Sequence, residues 1–268
     1  MLRSIPDYSA LRQRYEGPRL REMENSFSQL GIQESDVDEL VLGWRVVNEQ
    51  WDFFGMTSGR FDKSALEARA VSMNLARVDL GDSRAYCLGS DGTANCLVLL
   101  ENSLGAFGQL DSLRAMLQAR GEQATSIGSD SGFGSLMKEA ETNSPIWGVA
   151  KGAAVSDWFQ GWLPNQEGMK LDWTQAFKGV DGLTYSVKPG NTVKLNVRMT
   201  CHTSNDASNL RLVFDGLKMF QQLSWQNQNP NLPNPYQALS IQANDTQVLV
   251  ELETPYNALQ ASGAPGTL

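Results

Sequence analysis

The chain has 268 residues, 41% of them hydrophobic and 19% charged, enough apolar surface for a packed core and too little charge for wholesale disorder. Its formal charge of −8 repels phosphate backbones, and with no local basic stripe the sequence excludes nucleic acid as a partner. The longest apolar runs, such as Cys96–Leu100, have the length of a strand, so the sequence carries no transmembrane segment.

Residues 1–17 contain PDYSALRQRYEG, sufficient for one or two helical turns. Pro18 suits the first turn of a helix with Leu20, Met23, Phe27 and Leu30 on one face and Gly31 at its end. A short acidic helix is expected at Glu34–Glu39. Its charge run lacks the spacing and the glycine of a calcium loop and reads as a solvated helix start. Strands are expected at Leu40–Val47 and Trp51–Ser58, joined at Asn48-Glu49.

The segment GRFDKSALEARAVSM gives an amphipathic helix, with Asp62 at its start and Leu66, Ala70 and Met73 along one face. In RAYCLGSDGTANCLVLLEN, Asp91-Gly92 joins two apolar runs and signals a hairpin. With a two-residue turn there, Cys87 faces Cys96 at a non-hydrogen-bonded pair, where side chains come closest. That separation suits a disulfide, which would mean an oxidising compartment. Two core thiols side by side are the other reading, and they fit a cytosolic scaffold. The segment QLDSLRAMLQARG follows as a helix with Leu110, Leu113 and Leu117 on one face and Gly121 as its cap.

Further along, a helix is expected near Phe133–Ala140 and a strand near Pro145–Ala150. From Ala153 to Lys178 the chain is rich in tryptophan and broken by Gly161, Pro164, Asn165 and Gly168, a pattern of short helices and loops. Trp158, Phe159, Trp162 and Trp173 are expected to pack between the two units, with an exposed binding patch as the alternative. Strands Leu183–Lys188 and Asn191–His202 flank Pro189-Gly190. The second alternates Val193, Leu195, Val197, Met199 and Cys201 with polar neighbours. Ser204 is placed to cap a long helix lined by Leu210, Val213, Phe214, Leu217 and Phe220. After the loop Gln226–Pro235, strands Ala238–Ala243 and Gln247–Glu253 turn at Asn244-Asp245, and Pro255–Ala261 adds a helical turn.

The fold class is α+β: two similar β-β-α-β-β-α units, each a four-stranded antiparallel sheet covered by helices. Residues 1–150 carry the N-terminal helices and the first unit, 151–181 a tryptophan-rich connector, and 182–268 the second unit.

The first 160 residues or so resemble a family of uncharacterised exported bacterial proteins. The resemblance rests on Gly59–Asp62 leading into a helix, on Ala94–Gly108, on Asp111–Leu117, and on the apolar-Trp pair Ile146-Trp147. It also takes in IPDYSALRQ and ESDVDELVLGW. It implies an extracytoplasmic location and a leader missing from this chain, and it brings no known activity and no catalytic residues. The start MLRSIPDYS has no apolar signal region, which fits either a cytosolic chain or a mature one, and leaves room for anchoring through a missing leader.

Chemistry is sparse. His202, the only histidine, lies on the polar side of its strand, and its neighbour Cys201 points to the opposite face. In Gly128-Ser-Asp-Ser-Gly132 the centre is Asp130 rather than serine, so the stretch reads as a loop leading to a helix cap at Asp130 or Ser131. Glu251 and Glu253 alternate outward on a strand. The expectation is therefore no catalytic residue, no metal and no cofactor. The chain reads as a non-enzymatic extracytoplasmic binding or assembly module of the cell envelope, with another envelope protein as partner. A hydrolase using carboxylates in a cleft between the units is the alternative.

Overall fold

The computed structural model describes residues 18–47, 50–88, 95–121, 127, 130–156 and 172–255. The chain divides into two compact units, Glu16–Ser126 and a second made chiefly of Ile127–Leu268.

In the first unit, α1 (Pro18–Gln29) ends at Gly31, whose φ of 85° is the left-handed conformation that closes a helix. A 3-10 turn at Glu34–Asp36 leads directly into β1 (Val37–Val47), so the expected acidic helix is only this turn. Pairing with the next strand claims the rest, since Glu39 lies opposite Ser58. Then follow β2 (Gln50–Gly59), α2 (Lys63–Ser72), β3 (Ala76–Leu80), β4 (Ser83–Leu88), β5 (Asn95–Glu101), β6 (Leu104–Gln109) and α3 (Leu110–Gly121). Asp62 caps α2 by accepting from the Ala65 N–H at 2.9 Å. Leu66 and Ala70 are buried on that helix, but Met73, at its C-cap, is exposed.

The strands form an antiparallel sheet of six in the order β1-β2-β6-β5-β4-β3, not four. Two strands are additional to the expected four. β3, with Val78 and Leu80 on the core, turns into β4 through Gly81-Asp82, with Gly81 at φ 64°. β6 carries Gly105 and Gly108, residues with low strand propensity. Gly108 is required: at φ 145°, a Cβ there would sit 2.8 Å from the Phe54 Cβ and 2.9 Å from the Phe53 carbonyl. The sheet is buried on both faces. Tyr86, Leu97, Leu99 and Phe107 pack with Phe27, Leu30 and Leu66 on one side. Ala85, Cys87, Cys96, Val98 and Ala106 pack with Leu113 on the other.

In the second unit, α4 (Ser131–Glu139), β7 (Ile146–Lys151), α5 (Trp173–Ala176), β8 (Val180–Lys188), β9 (Thr192–Cys201), α6 (Ser204–Gln228), β10 (Leu239–Asn244) and β11 (Gln247–Pro255) follow in order. The sheet runs β10-β11-β9-β8-β7, again antiparallel and with five strands. β7, counted with the first unit in the sequence, pairs with β8, with Trp147 opposite Ser186. Thr203, one residue before the expected cap, starts α6 by accepting from the Asp206 N–H at 3.1 Å. One apolar core lies under α6, built from Leu183, Val197, Met199, Val248, Ala207 and Leu210. β11 extends to Pro255, so the expected helical turn over Pro255–Ala261 begins as strand; its remainder lies outside the described residues.

The element order β-β-α-β-β occurs in both units, but the pairing differs. β2 lies beside β6 in one sheet, and β9 beside β11 in the other.

Candidate functional site

Cys87 and Cys96 are bonded, with their sulfurs 2.05 Å apart. The register places them opposite each other, as the turn arithmetic requires: Leu88 faces Asn95 and Cys87 faces Cys96. Both residues are buried, so the bond is shielded from thiols in solution. Cys201 is buried and unbonded. Burial, reinforced by the charges of Asp206 and Asp181, pushes its thiol up to about 11, which leaves it protonated and unreactive at neutral pH.

Of the aromatic patch, Trp158, Phe159 and Trp162 lie outside the described residues. Trp173 is half-buried and stacks on Phe177 with ring centres 5.8 Å apart; Phe177 in turn meets Phe214 edge-on at 6.1 Å. Its ring therefore packs against the core beneath α6.

The polar motifs resolve into structure. Asp130 caps α4, accepting from the Gly132 and Phe133 N–H groups at 2.9 Å each, and Lys151 lies 3.1 Å away. The Phe133 N–H and then the Lys151 ammonium hold its carboxyl below the usual carboxylate range. His202 Nε2 sits 2.8 Å from Asp181 Oδ1, so the lone histidine spans a loop and a strand end. Glu253, one of the outward carboxylates, pairs with Lys194 at 2.9 Å.

Two clusters escaped the sequence. Asp52 is buried, with Oδ2 accepting from Arg45 Nε at 2.9 Å and from the Ser112 hydroxyl, while Arg45 Nη2 reaches Ser112 Oγ at 3.0 Å. Asp52 Oδ1 is buried with no hydrogen-bond partner among the described residues. The hairpin arithmetic contains half of this cluster, because a turn at Asn48-Glu49 sets Arg45 opposite Asp52; Ser112 arrives only through tertiary packing of α3. In the second unit Glu141 gathers Lys188 Nζ at 2.7 Å, Ser186 Oγ at 3.2 Å and Asn196 Nδ2 at 3.5 Å. Lys188 foremost, then Ser186, keep its carboxyl low against the opposing effect of burial.

A cavity of about 570 Å³ opens in the first unit beside α2, with Arg60, Arg69, Asp36 and Asp62 among its lining residues. Each arginine is tied to a backbone carbonyl, Arg60 to Ser35 at 3.0 Å and Arg69 to Gln29 at 2.6 Å. Asp36 and Asp62 each accept a backbone N–H, from Gln33 at 2.8 Å and Ala65 at 2.9 Å, so they serve as local caps.

The outer side of α6 is the most distinctive surface. Ala207, Leu210 and Trp225 are buried on its inner side. Half a turn away, Leu212, Met219 and Leu223 are 59%, 59% and 56% exposed, and Phe220 beside them is 39% exposed rather than part of the inner line. Gly216 lies on this face, with nothing within 4 Å of the Cβ it lacks. Among the described residues no three metal-ligating side chains come together, and no helix is long and apolar enough to cross a membrane.

No protein-family model and no curated protein matches the chain. Among solved structures it is similar to TP0453. Crystal form III of that protein aligns at 9% identity with a TM-score of 0.46, over 89% of both chains. Form IV aligns at 11% identity with a TM-score of 0.40, over 90% of this chain and 88% of that one.

Proposed function

We propose that this protein is a non-enzymatic, extracytoplasmic binding or assembly module, with the outer face of α6 as the surface that meets an envelope protein. The exposed line Leu212–Met219–Leu223 carries the reading. Apolar side chains on one stripe of a helix gain when a partner removes them from water, and a helix already anchored by its inner face offers that stripe without further ordering. Gly216 supports it: glycine inside a helix costs about 0.5–1 kcal/mol relative to alanine. Among the described residues no neighbour approaches the side chain it lacks, which leaves room for a partner to come close. The Cys87–Cys96 bond supports the compartment, since disulfides persist where the surroundings oxidise.

A photo-crosslinking residue at Met219, compared in intact cells with one at exposed Arg198 on the sheet's outer face, tests the assignment. A discrete protein adduct at position 219 and none at 198 is the expected result. Equal labelling at both positions, or adducts to lipid alone, would overturn it.

A further inference from the structure

A second surface lies on the first unit and is independent of α6. β1 is the margin of the six-stranded sheet, so one row of its backbone N–H and C=O groups meets no neighbouring strand among the described residues. Such a row is a template for another strand unless it is short, bulged, charged or covered. β1 is 11 residues long, its only irregularity falls between Val37 and Glu39, and Leu40 through Trp44 carry no charge. Leu40 and Val41 are 39% and 68% exposed, so no described residue covers the edge at these two positions.

The phase of the edge can be read from its inner side. The Glu39 carbonyl accepts from Thr57 Oγ1 at 3.1 Å, and a Cβ built on Gly55 would lie 2.4 Å from the Val41 carbonyl. Both carbonyls therefore face β2. Backbone direction alternates along a strand, so Leu40, Leu42 and Trp44 turn their N–H and C=O groups to the open side. An antiparallel neighbour with the same phase satisfies all of them.

We propose that this neighbour is β1 of a second copy, paired about a two-fold axis at Leu42. In that register Leu42 faces Leu42 of the other copy, Leu40 faces Trp44, Val41 faces Gly43, and Glu39 faces Arg45 at both ends. No other two-fold register along the strand matches Glu39 with Arg45. The side-chain contacts agree. Glu39 is exposed and makes no side-chain bond among the described residues, while Arg45, half exposed, holds Asp52 at 2.9 Å and places its guanidinium 5.8 Å over the Phe54 ring. Gly43 lies under the same ring, where a Cβ would be 2.6 Å from Phe54 Cε2. Exposed Val41 of one copy thus comes to rest on a glycine backed by an aromatic ring in the other. Isologous pairing of one patch with itself is the usual route to a dimer, and a single added strand makes a small, reversible interface.

Sedimentation equilibrium of the full chain across the micromolar range tests this. A concentration-dependent monomer–dimer equilibrium is expected. Glu39→Arg, which sets two arginines opposite each other at both ends, weakens it about tenfold or more, and Glu39→Gln weakens it less. Leu42→Cys, under mild oxidation, forms a covalent dimer through the residue on the axis. A monomer at every concentration overturns the proposal, as does a dimer that Glu39→Arg leaves unchanged.

Discussion

The two sheets obey one architectural rule and bury themselves differently. In the first unit both faces are dry, with α1 and α2 on one side and α3 on the other, and the strands between them read as continuous apolar runs, RAYCL and NCLVLL. In the second unit a single apolar core lies under α6, and the opposite face carries Thr184, Ser186 and Asn196 around the Glu141 carboxylate. The helices cover faces of the second sheet, α6 over β10 and β11 and α4 over β7 and β8, where Leu136 lies against Gly182. β1, at the margin of the first sheet, has β2 as its strand neighbour among the described residues.

The contrast can be broken most forcefully at the single core. Leu183 is fully buried beneath α6, and Leu183→Ala removes packing that no second core replaces. A loss of about 3–4 kcal/mol is expected, against about 2–3 kcal/mol for Leu113→Ala in the two-cored sheet, each measured by urea unfolding. Equal losses would show that the number of dry faces does not set the cost.

The polar face sharpens the comparison through acid. Glu141 has a carboxyl held below its ordinary value of 4.5, chiefly by Lys188. A group lowered on folding stabilises above its unfolded value and loses that contribution as pH falls through its folded one. Stability measured by thermal melts should therefore decline below about pH 4.5 in the native protein. In Glu141→Gln that part of the decline disappears, and an unaltered acid profile would remove Glu141 from the account. The smallest effect is expected at Gly216→Ala, a gain of about 0.5–1 kcal/mol for the free protein. The same change should reduce crosslinking through Met219, because the added methyl stands where a partner would approach.

Where side chains alternate cleanly or a turn is short, the sequence was readable. The register of Cys87 with Cys96 and the buried line Val197, Met199 and Cys201 followed from period-two patterning and turn chemistry, whereas the last hairpin turns at Asp245-Thr246, one residue beyond the expected Asn244-Asp245, because Asn244 still pairs with Gln247. β6 was not readable, because Gly108 answers to the Phe53–Phe54 backbone of a strand some 50 residues earlier. β3 carries a short stripe, Ala76, Val78 and Leu80 alternating with Arg77 and Asp79, but five mostly exposed residues are little to read a strand from. The outer face of α6 was misjudged for a related reason. A helix with apolar residues on two sides has no single face that spacing can select, and Phe220 was assigned inward when burial puts it outside. The Asp52 cluster needed Ser112 from a helix 60 residues away, which strand arithmetic does not reach.

The account turns most on the covalent state of the β4–β5 pair. Protein isolated from its native cells under acid quench, alkylated before and after denaturation and mapped by non-reducing peptide mass spectrometry, gives that state directly. The prediction is one linked peptide joining Cys87 to Cys96, with Cys201 alkylated only once the chain is unfolded. Cys87 and Cys96 recovered as separate alkylated thiols would contradict it and return the protein to a reducing compartment.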